Sequence, residues 1–158
     1  MNFKIISKNN NARAAELEIN GKKIKTPAFM TIGTYGAVKT LDVDDLKKCN
    51  AEIILSNAFH LMLRPGTKLI EKYGGLHQFM GWDGLILTDS GGYQVFSLGK
   101  DVKINKTGAE FRSPFNGDKV VMTPEISIDV QTKINTDIMM IFDECIKYPS
   151  DIKETEKS

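Results

Sequence analysis

Residues 88–94 read Thr-Asp-Ser-Gly-Gly-Tyr-Gln and place several reactive groups directly after an apolar run. Asp89 offers a carboxylate for proton transfer, and Tyr93 offers an aromatic face on which a planar ligand stacks. Gly91 and Gly92 permit either a left-handed turn or the close approach of a ligand to the backbone. For this segment alone, two interpretations stay open: a turn capped by the aspartate, or a ligand-binding loop.

A second acidic pair, Asp143 and Glu144, follows the apolar residues 141–142 and precedes Cys145. The same two interpretations apply to it, a turn or a site. A buried carboxylate without a partner is costly, so two carboxylates at strand ends favour a shared site. We therefore expect Asp89 and Asp143 to be buried and to face the opening of one shared site.

The elements that position these residues alternate between strands and helices, a pattern that indicates parallel βα units. Ligands meet the carboxyl ends of parallel strands, where Asn57, Asp89 and Asp143 fall. The predicted strands are Ala28–Ile32, Ile53–Leu55, Leu85–Leu87 and Ile138–Phe142. The predicted helices are Val43–Lys48 after the cap Asp42, Thr67–Tyr73, and a segment that opens at Thr123-Pro124-Glu125 and carries Ile126, Val130 and Ile134.

Two antiparallel hairpins accompany the βα units. Residues 15–19 alternate apolar and acidic, Asn20-Gly21 supplies a turn, and Lys22–Lys25 can return as a second strand. A piece of about residues 102–122 is predicted as an inserted hairpin that turns at Asn116-Gly117. The predicted fold class is α/β, a partial (β/α)8 TIM-type barrel of four βα units. Its expected divisions are 1–27 as antiparallel strands, 28–149 as the first half of a barrel with the insert, and 150–158 as a charged tail that is either a frayed end or a cut at a truncation.

Composition restricts the function less than the motifs do. Lys and Arg total 21 and Asp and Glu total 20, so the net charge neither indicates nor excludes a polyanionic partner. Cys49 and Cys145 lie far apart and match no metal-ligand spacing, which indicates a reducing context. Residues 1–8 contain no signal-peptide core, and no apolar run approaches a membrane span. We expect a soluble cytoplasmic protein.

Other candidate residues have structural interpretations. His60 and His77 are the only histidines, a poor set for a metal, and His60 is interpreted as a structural hydrogen-bonding residue. Residues 64–66, Arg-Pro-Gly, form either a turn or an anion contact, and we favour the turn. Residues 111–114 are interpreted as a solvated edge. The sequence shows no Walker loop, dinucleotide fingerprint, metal-ligand cluster or Ser/His/Asp set.

Five stretches within about Thr26 to Pro149 carry a resemblance to a known family. They are Asn57–Gly66, Gly75–Met80, Leu87–Ser97, Phe111–Pro114 and Ile141–Cys145. In this order they resemble tRNA-guanine transglycosylase, also called queuine tRNA-ribosyltransferase, in its bacterial form. An ordered series of long motifs is highly specific, whereas each motif alone is not.

The resemblance implies an enzyme that exchanges guanine at the anticodon wobble position of tRNAs with a GUN anticodon. The incoming base in bacteria is 7-aminomethyl-7-deazaguanine, a precursor of queuosine. The implied fold is a modified βα barrel with a Cys/Cys/Cys/His zinc site near the C-terminus of the full-length enzyme. The implied assembly of the full-length enzyme is a homodimer.

Carried over position by position, the resemblance assigns Asp89 as the catalytic aspartate and Ser90-Gly91-Gly92-Tyr93 as the substrate-binding loop. It assigns Asp143 to base recognition and Cys145 to a pocket-lining position of bacterial members. An ionised carboxylate matches the adjacent ring N–H and amino group of guanine, which suits Asp143. Asp89 would do general acid/base work, and Tyr93 would cover a base flipped out of the RNA stack.

Departures from the family pattern limit what we expect of this chain. Family members have a second aspartate that acts as the covalent nucleophile, a glycine-rich strand end and a set of zinc ligands. None of these has a counterpart here, so we interpret the chain as the first half of the enzyme. Two alternatives stay open. The first is a non-catalytic fragment or partner subunit that binds a base or RNA. The second is a βα-barrel glycosidase with Asp89 and Asp143 as its carboxylate pair. The presence of Asp89, Tyr93 and Asp143 argues against the first, and the ordered motifs argue against the second.

Overall fold

A computed structural model describes residues 1–98 and 102–156, which form three sheets and a set of short helices. The strands are β1 Asn2–Asn9, β2 Ala12–Ile19, β3 Lys22–Thr26, β4 Thr31–Ile32, β5 Ile53–Asn57, β6 Leu85–Asp89, β7 Lys103–Asn105, β8 Gly108–Arg112, β9 Lys119–Met122 and β10 Ile138–Met139. The helices are α1 Val43–Lys48, α2 Ala58–Leu63, α3 Thr67–Lys72, α4 Leu76–Met80, α5 Gly92–Ser97, α6 Pro124–Ile134 and α7 Ile152–Thr155. This mixture confirms the predicted α/β class.

The central sheet contains four parallel strands in the order β10-β6-β5-β4. In the apolar runs at its centre, Ile53, Ile54, Leu85 and Ile86 are fully buried, and Leu55 and Leu87 are partly buried. Continuous apolar runs of this kind are typical of parallel strands that are covered on both faces. Because Asn57 pairs with Asp89 in the β5–β6 ladder, two polar side chains meet at the carboxyl edge of the sheet.

The two outer strands of this sheet are shorter than predicted. The ladder between β4 and β5 begins only at Thr31, which lies opposite Ile54. The last strand ends at Met139, and the backbone of Met140 bonds instead to the side-chain amide of Gln131. Asp143 therefore lies beyond the strand, in irregular backbone, and the prediction that a strand extends to Phe142 was wrong.

Local capping signals correctly located two helices. The Asp42 carboxylate accepts from the Asp45 N–H at 2.8 Å, which opens α1 as predicted. Thr123 accepts from the Ile126 N–H at 3.2 Å ahead of Pro124, which opens α6 as predicted. Helix α3 is also confirmed. The unpredicted helices α2, α4 and α5 have five or six residues each and begin without a side-chain cap, so they carry no capping signal.

The predicted N-terminal hairpin is present as β2 and β3, with positive φ at both Asn20 and Gly21. Strand β1 was not predicted, and it pairs antiparallel with β2. All eight residues of β1 are exposed, so the strand shows no alternation of buried and solvated residues that a sequence pattern could reveal.

The insert is a three-stranded antiparallel sheet in the order β7-β8-β9, one strand more than the predicted hairpin. Residues 113–118 join β8 to β9, and this connection contains the predicted turn at Asn116-Gly117. The solvated-edge interpretation was wrong for Phe111, which is 3% exposed and packs its ring 5.3 Å from that of Phe59. Alternate residues of β8 face inward, and this attaches the insert to α2.

Within the described part of the charged tail, residues 150–156, helix α7 spans Ile152–Thr155. Lys157 and Ser158 lie outside the described residues. No helix formed by residues 1–98 or 102–156 combines the length and the apolar character that a membrane crossing requires.

Candidate functional site

Asp89 is held at the junction between β5 and α2. Its Oδ1 accepts from the backbone N–H of Ala58 at 2.9 Å, and its Oδ2 accepts from the Asn57 side-chain amide. The Ala58 N–H belongs to the first residue of α2 and has no partner inside that helix, so the carboxylate satisfies it. Asp89 is half-buried, and both of its oxygens are oriented by donors from the neighbouring strand and helix.

Ser90 links this strand end to Asp143. The buried Ser90 hydroxyl donates to Asp143 Oδ1 at 2.6 Å and accepts from the Gly92 N–H at 3.1 Å. The backbone carbonyl of Ser90 accepts from the Ser127 hydroxyl at 2.7 Å. The structure thus brings the Ser90 loop and Asp143 together. Asp143 itself is exposed, so the expectation of two buried carboxylates was wrong: the segment leaves the sheet before Asp143 and carries it to the surface.

The two glycines of the loop make room for the chain's own backbone and side chains. A Cβ at Gly92 would lie 2.3 Å from the Asp143 carbonyl oxygen and 2.4 Å from Asp143 Oδ1. Gly91 has a φ of +86°, and a Cβ there would lie 2.8 Å from Met122 Cε. In this structure the pair permits the close packing of Asp143 and Met122, and the positive φ of Gly91 matches the left-handed turn, one of the two interpretations that the sequence leaves open.

Cys145 faces the other oxygen of the same carboxylate. Its Sγ donates to Asp143 Oδ2 at 3.5 Å. Burial raises the pKa of the Cys145 thiol, and the negative charge of Asp143 adds to this effect. A thiol with a raised pKa stays protonated near neutral pH, so Cys145 serves as a donor to Asp143 and not as a nucleophile.

A cleft of about 270 Å³ adjoins Asp143. Gly92, Asp143 and Cys145 line one part of it, and α5 and the turn between β7 and β8 line the rest. Asp89 and Tyr93 are not among the described residues that line this cleft. The Tyr93 side chain is 65% exposed, and its ring centroid lies 6.4 Å from that of Phe96. The aromatic face therefore stays accessible on the outer side of α5.

A model of a protein family described as queuine tRNA-ribosyltransferase matches residues 8–158 of the chain. The chain belongs to the queuine tRNA-ribosyltransferase family. This confirms the resemblance that the five motifs carried. The match extends through the Asp89 loop, the insert and the Asp143 segment, which are the parts of the chain that form the site.

Curated relatives with the name queuine tRNA-ribosyltransferase are similar to this chain along nearly all of its length. The protein from Francisella tularensis subsp. novicida is 54% identical over 158 residues, which are 100% of this chain and 43% of that relative. The Nitrosomonas eutropha protein is 55% identical over 100% of this chain and 44% of its own length. The Herminiimonas arsenicoxydans protein is 53% identical over 96% and 40%. The chain therefore spans less than half the length of these relatives.

His60 differs from its sequence interpretation. Its Nδ1 is buried and has no hydrogen-bond partner among the residues that the structure describes. The ring instead packs edge-on against Tyr35 at 5.1 Å and Phe59 at 5.3 Å between centroids. Burial lowers the pKa of His60, and the Asp89 charge opposes this with a smaller effect. The prediction of a structural hydrogen bond was wrong at Nδ1, because aromatic packing holds the ring.

The remaining sequence candidates take structural roles away from the cleft. His77 Nε2 lies 3.0 Å from Asp137 Oδ2, and that oxygen also accepts from the Ile86 N–H near the amino end of β6. The Arg64 guanidinium lies 4.7 Å from the centroid of the Phe115 ring, where it joins the end of α2 to the insert.

The resemblance to queuine tRNA-ribosyltransferase implies a zinc site in the full-length enzyme. Within residues 1–98 and 102–156, no group of three or more His, Cys, Asp or Glu side chains is placed to hold a metal ion. Cys49 is exposed on the C-terminal side of α1, and Cys145 lies at the cleft. The described residues of this family member do not fit a zinc site, and we assign none to them.

Sequence reasoning missed the buried polar residues behind the site, Ser127 and Gln131 on α6. Both are fully buried, and together they contact the segments that carry Asp89 and Asp143. A signal for them was present. They stand four residues apart, beside Val130 and Ile134 on the buried face of the helix, and a polar i,i+4 pair on such a face needs partners.

Proposed function

We propose that this chain carries the base-recognition and acid/base part of a tRNA-guanine transglycosylase. The reaction replaces guanine at the wobble position of tRNAs with a GUN anticodon by 7-aminomethyl-7-deazaguanine, in queuosine biosynthesis. One observation carries the proposal: the Asp143 carboxylate is held at the edge of a cleft by Ser90 and Cys145 and remains exposed. Family membership and the printed name of the relatives support the same activity.

Asp143 is suited to guanine because of its free acceptor capacity. Each carboxylate oxygen accepts one bond from the residues that the structure describes, and each has a further lone pair that a ligand can use. Guanine presents a ring N–H and an amino group side by side, and both are donors. Adenine presents an acceptor in place of the ring N–H, which a carboxylate repels. We assign the choice of base to Asp143.

Asp89 is assigned to proton transfer. Cleavage of the glycosidic bond returns a proton to the departing base, and attachment of the incoming base removes one. A half-buried carboxylate oriented by Asn57 and Ala58 is suited to carry that proton. Tyr93 is assigned to the face of the flipped-out base, because its ring is accessible next to the loop. We assign the covalent nucleophile to no residue of this chain.

The larger assembly is proposed from family membership. We place the four parallel strands in a (β/α)8 barrel of the full-length enzyme, with residues 1–27 as a separate antiparallel unit and residues 28–149 as the barrel portion. The full-length enzyme would carry the zinc site outside this chain and would form a homodimer. Its tRNA substrate places the reaction in the cytoplasm.

The proposal is tested by the exchange of labelled guanine into unmodified tRNA that bears a GUN anticodon. The chain is assayed alone and then together with a polypeptide that supplies the remaining part of the Francisella relative. We expect exchange only in the mixture, because the chain holds no assigned nucleophile. Exchange by the chain alone would overturn that assignment. Binding of guanine without exchange in either sample would favour a non-catalytic base-binding protein, and the absence of both would refute the proposal.

The role of Asp143 is tested by Asp143→Asn. The amide replaces one acceptor with a donor that faces the donors of guanine, and the lost charge-assisted bond is worth about 1.5–3 kcal/mol. Guanine affinity measured by calorimetry should fall by roughly tenfold or more. Asp44→Asn is the matched control, since it makes the same change at an exposed carboxylate on α1, outside the cleft lining, and it should change the affinity little. Equal affinity for Asp143→Asn and the parent chain would refute the assignment.

A further inference from the structure

The side-chain amide of Gln131 uses all of its hydrogen-bonding capacity inside the protein. Gln131 is 0% exposed on α6. Its Oε1 accepts from the Met140 N–H at 2.9 Å and from the Thr88 hydroxyl at 3.0 Å. Its Nε2 donates to the Met140 carbonyl at 2.9 Å and to the Ser127 hydroxyl at 3.2 Å. Two acceptor positions and two N–H groups are thereby satisfied.

This amide takes the place of a strand at the point where the central sheet ends. Met140 directly follows β10, and both its N–H and its carbonyl bond to Gln131. A side-chain amide offers the same donor and acceptor as a peptide group, so it pairs with Met140 as a neighbouring strand would. The chain therefore leaves the sheet at Met140 with the N–H and carbonyl of that residue paired to Gln131, and it continues to Asp143.

The same amide also connects to the Asp89 loop. Thr88, which donates to Gln131, immediately precedes Asp89 in β6. Ser127, which accepts from Gln131 Nε2, donates to the carbonyl of Ser90 at 2.7 Å. One buried side chain thus joins the segment before Asp143 to both ends of the Thr88–Ser90 stretch.

We propose that Gln131 is a positioning residue for base recognition: it sets where Asp143 lies relative to the Asp89 loop without contacting the base itself. This role rests on the proposed function of Asp143. Its structural half stands alone, because removing the amide takes away both hydrogen bonds between Gln131 and the Met140 backbone whether or not guanine binds. An apolar side chain of similar length leaves the N–H and carbonyl of Met140 unpaired.

The test uses Gln131→Met, which keeps the size of the side chain and removes its hydrogen bonds. Amide hydrogen exchange at Met140, whose N–H loses its acceptor, should rise about tenfold or more over the parent chain, with a smaller change in β5. Guanine affinity should fall by about tenfold as Asp143 loses its fixed position. Ser113→Ala is the matched control. It deletes a buried hydroxyl of the insert that accepts from the Phe115 N–H at 3.3 Å, outside this network, and it should change neither readout.

A milder variant covers the case in which Gln131→Met does not fold. Ser127→Ala removes the hydroxyl between Gln131 and Ser90 and should shift both readouts in the same direction by a smaller amount. The proposal is overturned if exchange at the Met140 amide rises no more than exchange in β5. It is also overturned if exchange at Met140 rises as expected and guanine affinity stays at the parent value. If the parent chain itself binds no guanine, the assignment of Asp143 fails, and hydrogen exchange still decides whether Gln131 holds the segment.

Discussion

Ser90 illustrates how much the site depends on single side chains. One hydroxyl donates to Asp143, accepts from the Gly92 N–H and so ties the start of α5 to the segment after β10. Cys145 adds a second donor to the same carboxylate. The orientation of Asp143 is therefore set by two small neighbours, and neither is charged while the Cys145 thiol stays protonated.

The pKa of His60 is a second property of a single side chain that can be measured. Burial lowers its pKa from the ordinary value of 6.5, and the Asp89 charge only partly offsets this. The folded chain then binds fewer protons at His60 than the unfolded chain, so this contribution to stability is present above about pH 6.5 and is lost as the pH falls below it. We expect the His60 ring signal in an NMR titration to have its midpoint below 6.5.

The assignment of that signal has a simple control. The chain has two histidines, so His77→Gln leaves His60 as the only imidazole in the spectrum. The variant His60→Asn should in turn reduce the drop in melting temperature between neutral and mildly acidic pH. A His60 midpoint at or above 6.5 would contradict the expectation that burial dominates.

At the scale of elements, the first turn of α5 and the segment after β10 share one contact surface. Gly92 is the first residue of α5 and lacks the Cβ that would collide with Asp143. Insertion of that atom must move either the helix or the segment, because the nearest atom is a backbone oxygen. The packing of these two elements is thus coupled to the placement of the carboxylate.

The variant Gly92→Ala should change the free energy of unfolding through this contact. Alanine in an exposed helix would stabilise by about 0.5–1 kcal/mol relative to glycine, whereas overpacking costs about 1–3 kcal/mol. We expect the overpacking cost to exceed the gain and the free energy of unfolding, measured by urea denaturation, to fall. Ser97→Ala at the exposed end of α5 is the control and should have a small effect. A stabilised Gly92→Ala variant would show that the Asp143 segment moves to accommodate the added methyl group without a loss of folding free energy.

At the scale of the whole molecule, the described central sheet is open at both edges. Strands β4 and β10 each have one hydrogen-bonded neighbour in the four-stranded order. Large apolar side chains lie exposed near these edges, including Phe29 at 82% and Ile141 at 79%. Open edges beside exposed apolar surface provide a template for association with further strands.

We therefore expect this chain by itself to associate as its concentration rises through the micromolar range. The double variant Ile32→Lys and Ile141→Lys places a charge near each edge and should shift sedimentation velocity profiles toward the monomer. Ile152→Lys is the control, because it charges an equally exposed isoleucine on α7, outside the sheet. Association that is identical in the parent and the double variant would show that the sheet edges are not involved.

The sequence by itself determined the features that depend on neighbouring residues. Apolar runs located the buried centres of β5 and β6, and the caps Asp42 and Thr123 located α1 and α6, because these signals act over a few residues. The ordered motifs determined the family. They also named Asp89, Ser90 and Asp143 as candidates, since residue identity is all that such an assignment needs.

Only the tertiary structure decided how these candidates meet. Ser90 and Asp143 are 53 residues apart in the chain, and their hydrogen bond depends on where β10 ends. That end is set by Gln131, a helix side chain that pairs with Met140 in place of a strand. Contacts of this kind have no local periodicity, because they arise when separate elements pack. For that reason the polar pair on α6 indicates that Gln131 needs partners but not which ones. The sequence likewise predicts Asp143 at a buried strand end, whereas it lies on an exposed segment beyond the strand.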